Sequence, residues 1–418
     1  MRLTGPMGTT GGWRSALATT LVGVALVACS GSGSDGSGPT STSSAATARS
    51  STSGTTSDSD TADATRVPGA SWEVVDPADA GMDAEQLDRA KAYAFEEGRH
   101  TQGVVVVRHG QIVSEWYAPG TDEDSWTASW SVAKSFASAV VGIAVADGKV
   151  PSVDEPMSTY LPSWKGTDKG AITLRNVLQM QSGLDWDEGY DPSAADTSDV
   201  VQMGLSTDEL AYAVDRPVAA APGTRWLYSS GDAMLLSAVI AGATGTSAAE
   251  YAEQELFEPI GMERADWWQD VPGHTLGYCC LDATARAYAR FGLLYLHGGR
   301  WGDEQILPAS WVADSVTNAP GDHPGYGYMW WLGDVDGVPK DMYAAEGHDG
   351  QYIWVIPSLD LVVVRTGTYV KDPGPSVADP NLFAKYPPDD LVPGKGTIAP
   401  DTWDDAAFLG PIVASVSN

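Results

Sequence analysis

The chain has 418 residues, a formal net charge of −31 and 43% hydrophobic residues. That much apolar material permits a large core and more than one lobe. The negative charge argues against nucleic acid, whose phosphates attract Lys/Arg-rich surfaces, and against adsorption to anionic lipid headgroups; it reads as a solubility surface.

Residues 1–29 read as an export signal. Arg2 and Arg14 supply positive charge, and residues 15–28 are apolar over a signal-like length, too short for a relaxed membrane span. The stretch ends Leu26-Val27-Ala28-Cys29, which resembles the lipobox of bacterial lipoproteins. Cys29 is therefore the expected lipidation site, and the expected location is the outer face of the cell membrane. Residues 30–66 are almost wholly Ser, Thr, Gly, Ala and Asp. Such a segment cannot bury enough apolar surface to offset its ordering entropy, so it reads as a flexible tether.

The body begins near Gly69. Asp83 with Gln86 resembles a capping box, opening a helix that ends near Gly98. Residues 103–108 and 111–117, joined by His109-Gly110, have the pattern of a hairpin. Next comes Trp130-Ser131-Val132-Ala133-Lys134-Ser135-Phe136, followed by an apolar run that Gly148 stops. This reads as a buried helix with Ser131 and Lys134 in its first turn. Residues i and i+3 share a helix face, so the hydroxyl and the amine are neighbours. A hydroxyl beside an amine of lowered proton affinity is a nucleophile–base pair. Taken alone the spacing is weak, because a Ser/Thr-rich chain of this length carries roughly one Ser-x-x-Lys by accident.

Residues 150–310 read as mainly helical with long polar loops. Helices are expected at 172–178, 207–213, 231–243 and 284–297, and an Asp-rich loop at 187–198 holds Tyr190. Cys279 and Cys280 are adjacent and cannot form an ordinary loop-closing bridge. Free buried thiols are the preferred reading, and a vicinal disulfide is the alternative in an oxidising compartment. The scattered histidines and cysteines show no zinc-like spacing, so no metal is expected. Strand patterns return at 326–332, 342–346, 351–356 and 361–366, with a closing helix at 406–416. Strands at both ends with helices between predict an α+β fold. Its antiparallel sheet is flanked by helices and carries an inserted all-helical lobe. Residues 67–418 form one domain, with the sheet lobe at about 67–150 and 310–418 and the helical lobe at about 151–309.

Two further motifs follow Ser131 in order: Tyr228-Ser229-Ser230, and Gly347-His348-Asp349-Gly350-Gln351 ahead of a strand. The series Ser-x-x-Lys, Tyr-x-Ser/Asn, Lys/His-x-Gly resembles the penicillin-recognising serine hydrolases. The flanking residues 172–186, 226–231, 284–292 and 326–331 look like the class C β-lactamase-like branch. Within it the chain is most similar to 6-aminohexanoate-dimer hydrolases and related esterases, over roughly residues 70–370.

The resemblance implies a β-lactamase/transpeptidase-like fold and an acyl-enzyme on Ser131, with no cofactor or metal. Lys134 and Tyr228 would share the acid–base work, either being the base, with Ser230 in the same network. Backbone N–H groups of Ser131 and Gln351 would form the oxyanion hole, and Gly350 would lack a side chain so that substrate can approach. True class C enzymes carry a lysine where His348 stands and an asparagine where Ser230 stands. Histidine is largely neutral at pH 7 and a weaker site for a β-lactam carboxylate. The expected substrate is therefore a small ester or amide. The alternatives are a D-Ala-D-Ala carboxypeptidase or β-lactamase, and a non-catalytic cell-envelope binding module. Trp186, Tyr190, Trp330 and Trp331 are candidates to line the groove, His348 and Gly350 to contact substrate.

Overall fold

The run Val104-Val105-Val106-Val107 is buried on both faces, because a layer of helices covers each side of the sheet it enters. The computed structural model describes residues 66–190, 197–263, 265–321, 323–367 and 403–417. The signal segment, Cys29, all of the tether except Arg66, and most of residues 370–405 lie outside the described residues. The described residues belong to one compact unit.

The strands of the main sheet are β1 Thr101–Arg108, β2 Gln111–Tyr117, β3 Trp331–Leu332, β4 Tyr343–Gly347, β5 Gln351–Ile356 and β6 Leu361–Gly367. They form a six-stranded sheet in the order β2-β1-β6-β5-β4-β3, every pairing antiparallel. The pairing of β1 with β6, Val105 opposite Val364, closes the first and last parts of the sheet onto each other. The expected strand at 326–332 contracts to Trp331–Leu332, because Met329 takes φ 61° and the chain doubles back so that Tyr326 bridges Trp331.

The longer helices are α1 Ala84–Ala94, α2 Ala133–Ala146, α3 Ser230–Thr244, α4 Ala285–Leu296 and α5 Asp405–Ser415. Asp83 caps α1 by accepting the Glu85 N–H at 2.9 Å. Helices α1 and α5 share the outer core with Val104, Val106, Trp354 and Phe408. On the inner face, α4 lies so close that a Cβ on Gly292 would meet Val362 at 2.6 Å and Ile353 at 2.8 Å. This corrects the expected lobe boundary: α4 belongs with the sheet. Its amphipathic period announces a helix but not the layer that covers its apolar face. Helix α2 is apolar nearly all round and is buried between layers; Phe136 stacks on Phe291 of α4 with ring centroids 3.7 Å apart. The rest of the helical region is short helices such as Leu174–Leu178, Asp199–Gly204 and Glu209–Val214, the last starting late because Asp208 caps it.

Cys279 and Cys280 are bridged to each other in a buried turn, which corrects the preferred reading of two free thiols. The left-handed backbone at Cys280, φ 67°, brings two successive side chains to one side of the turn. Alkylation of the native protein should therefore leave both cysteines unmodified until a dithiol reductant is added with denaturant. Modification of either one before reduction, read by peptide mass, would show the thiols to be free.

Candidate active site

Ser131 does not lie in the first α-turn, as the sequence spacing suggested. It sits in a 3-10 turn, Trp130–Val132, that leads into α2. Trp130 holds φ 46°, a costly conformation for a bulky residue that surrounding contacts must enforce. One such contact is the indole N–H, which donates to Asp349 Oδ2 at 3.0 Å. Below it, Ser129 N–H donates to Leu281 O and Leu281 N–H to Ser129 Oγ, at 2.8 and 2.9 Å.

Lys134 is 1% exposed. Its Nζ donates to Ser131 Oγ at 2.8 Å, Ser230 Oγ at 3.1 Å and Tyr278 O at 3.0 Å. Three acceptors satisfy the three protons of the ammonium. Burial nevertheless lowers its pKa to about 8, with Glu188 opposing the shift. Here desolvation alone carries the depression, and the charged neighbour that matters is a carboxylate.

Tyr228 hydrogen-bonds Ser131, and burial and Glu188 push its phenol well above the usual range. Its ring lies 4.9 Å from Lys134 Nζ and stacks on Trp331 at 5.5 Å. Ser230, at the start of α3, is buried. The Tyr278 carbonyl reaches Lys134 from the turn that the cysteine bridge closes. The Tyr278 hydroxyl donates to Glu209 at 2.6 Å, a carboxyl that burial pushes up to about 7.

At the centre of the adjoining loop stands a residue the sequence reading passed over. Glu188 accepts four donors: Ser230 N–H at 2.8 Å, Ser230 Oγ–H at 2.6 Å, Trp186 Nε1–H at 2.5 Å and Tyr190 O–H at 2.6 Å. Nothing in its spacing separates it from the other acids of the loop. The tertiary approach of this loop to the start of α3 does.

A family model described as Beta-lactamase matches residues 87–383. The chain belongs to the Beta-lactamase family. It is 24% identical over 294 residues to the 6-aminohexanoate-dimer hydrolase of Paenarthrobacter ureafaciens, covering 64% of this chain and 73% of that protein. Among solved structures it resembles EstCE1, a hydrolase with promiscuous acyltransferase activity, at 16% identity and TM-score 0.57, over 68% of this chain and 93% of that one. It also resembles the penicillin binding protein of Bacillus halodurans at 17% identity and TM-score 0.54, over 66% and 94% of the two chains. The structural likenesses bear out the expected fold. Membership of the Beta-lactamase family makes the chain a serine hydrolase, the class that acts on amides and esters.

Within this Beta-lactamase-family groove several expected residues are placed differently. The Gln351 N–H donates to the His348 carbonyl, and its side chain is tied to the backbone of Gly367, so Gln351 is not free to hold an oxyanion. The segment His348-Asp349-Gly350 is a turn, with Asp349 at φ 60° and Gly350 at φ 74°. A Cβ on Gly350 would overlap the Arg365 guanidinium at 1.8 Å, so this glycine makes room for Arg365 and not for substrate. The glycine that lies against the nucleophile is Gly347, where a Cβ would stand 2.4 Å from Ser129 O and 3.2 Å from Ser131 N.

Trp186 is also misplaced: it is 6% exposed and wedged against α3, with a Cβ on Gly231 only 2.6 Å from its ring. Trp330 lies in the core between Phe291 and Tyr295. Trp331, one residue on, stays beside Tyr228. Tyr190 is 49% exposed, and its ring lies 5.4 Å from that of His348, so the two flank the mouth of the groove. His348 shares a 2.8 Å hydrogen bond with Asp349.

Proposed function

We propose that the protein is an exported hydrolase that cleaves a small ester or amide through an acyl-enzyme on Ser131. The observation that carries this reading is the buried Lys134 amine 2.8 Å from the Ser131 hydroxyl, with Tyr228 bonded to the same serine. As the Ser131 Oγ–C bond forms, the serine proton moves to neutral Lys134 and the carbonyl π electrons move to oxygen. As the carbonyl re-forms and the scissile bond breaks, Tyr228, kept protonated by burial, gives its proton to the leaving oxygen or nitrogen, and the proton held by Lys134 then restores the Tyr228 phenol. The net movement is one proton from the serine to the leaving group. Water then repeats the sequence in reverse and frees Ser131.

The negative oxygen needs two donors. One is the Ser131 N–H. For the other, the position of Gly347 against Ser131 favours the next N–H, that of His348. It opens the 3-10 turn and has no acceptor within it.

The surroundings favour an acyl group without a carboxylate. Position 348 offers no ammonium, and the Asp349 and Glu188 carboxylates stand close by. The mouth is aromatic, formed by Tyr190, Trp331 and Trp226, with Trp226 and Trp331 centroids 6.1 Å apart. A linear amide or ester fits this better than an anionic β-lactam or D-Ala-D-Ala peptide, and the likeness to a 6-aminohexanoate-dimer hydrolase agrees. For location, Leu26-Val27-Ala28-Cys29 supports lipid anchoring.

On a panel of esters, linear amides, D-Ala-D-Ala peptides and β-lactams, short neutral esters or amides should give the highest kcat/KM. Ser131→Ala should lower that value on the order of a thousand-fold and abolish labelling by a phosphonate probe. Faster release of D-alanine, or labelling that survives the substitution, would overturn the reading. Because the accepting amine must be neutral, kcat/KM should climb as pH rises through about 8 and level off above it. A value unchanged from about pH 6 to about pH 9 would exclude Lys134 as the base. Cys29→Ala should move the protein from the membrane fraction to the soluble one, and retention in the membrane would count against lipidation.

A further inference from the structure

Lys134 can accept a proton from Ser131 only if its lone pair points there. The charged amine uses three protons on three partners: Ser131 Oγ, Ser230 Oγ and Tyr278 O. The neutral amine keeps two protons and one lone pair. The Tyr278 carbonyl can only accept, so it holds one of the two protons. The lone pair must then face one of the two serine hydroxyls, Ser131 or Ser230. Both are able to donate, and only one choice is productive.

The Ser230 hydroxyl proton is directed elsewhere, onto Glu188 Oε1 at 2.6 Å, while its backbone N–H goes to Glu188 Oε2 at 2.8 Å. Tyr190 donates to the same Oε1 at 2.6 Å, so both neighbouring hydroxyl protons point at the carboxylate. A hydroxyl that donates to Glu188 presents its lone pairs to Lys134. We propose that Glu188 is a positioning residue: it fixes the direction of the Ser230 hydroxyl and thereby aims the lone pair of neutral Lys134 at Ser131. The proposal rests on Lys134 being the base of the reaction above. It gives a role to both halves of the Ser230–Glu188 contact, and it explains why a carboxylate lies here although it opposes deprotonation of the lysine. The four groups around Glu188 are all donors. An amide at that position would turn its own N–H groups toward some of them and release the Ser230 hydroxyl.

A double-mutant cycle reads this directly. Glu188→Gln should lower kcat about a hundred-fold and Ser230→Ala about ten-fold, with KM changing less than about three-fold. The double variant should be no slower than Glu188→Gln alone, because the carboxylate acts through that hydroxyl. Losses that multiply to about a thousand-fold would overturn the proposal, since the two residues would then act independently. Neutron diffraction of the deuterium-exchanged wild-type protein tests it without a variant. The Ser230 deuterium should lie on the line to Glu188, and a deuterium on the line to Lys134 would overturn the proposal. Wild-type protein that fails to label with the phosphonate would refute the acyl-enzyme itself, an outcome distinct from either result of the cycle.

Discussion

A primary amine taken fully out of water is the constraint on which the rest of this structure depends. Leaving Lys134 without partners would cost several kcal/mol, and giving it a direct ion pair would keep it permanently charged. The fold does neither. It supplies two hydroxyls and one carbonyl, all uncharged, so the ammonium is satisfied while its pKa falls to about 8. Glu188, whose charge opposes this shift, is hydrogen-bonded to Ser230, itself one of the lysine's three partners.

The three acceptors come from three separate parts of the chain, and each part has a reason to be rigid. Ser131 is held by a strained turn pinned at Ser129 and Trp130. Ser230 begins α3, whose cap Ser229 accepts the Asp232 N–H. Tyr278 precedes a bridged pair of cysteines with left-handed backbone at the second. The sheet contributes the fourth wall. There Arg365 donates to the Gly350 carbonyl and lies under the Trp403 ring, fixing the turn that ends beside Trp130.

Much of this was legible in the sequence. The period of the apolar residues located α2. Strand β5 was expected at 351–356 and is found there, and the order of Ser131, Lys134, Tyr228 and Ser230 pointed to one groove. What was hidden depended on tertiary approach. Glu188 is one acid among many until the loop meets α3. Trp186 and Trp331 look alike in sequence, yet one fills the space beside Gly231 and the other stacks on Tyr228. The motif His348-Asp349-Gly350 was matched by its letters. Positive φ at Asp349 and Gly350 makes it a turn, and the glycine facing the nucleophile is Gly347.

In the function proposed above, the groove keeps the proton-handling core of its family and changes the charge at its rim: Ser131 and Lys134 would set the chemistry, and His348, Asp349 and the aromatic mouth would select what is brought to them. Intact mass spectrometry of enzyme quenched within one turnover of a slowly deacylated ester tests the acyl-enzyme most directly. A gain equal to the acyl group is expected, mapped to the peptide that contains Ser131. Turnover with no adduct on that serine, or an adduct mapped to another residue, would contradict it.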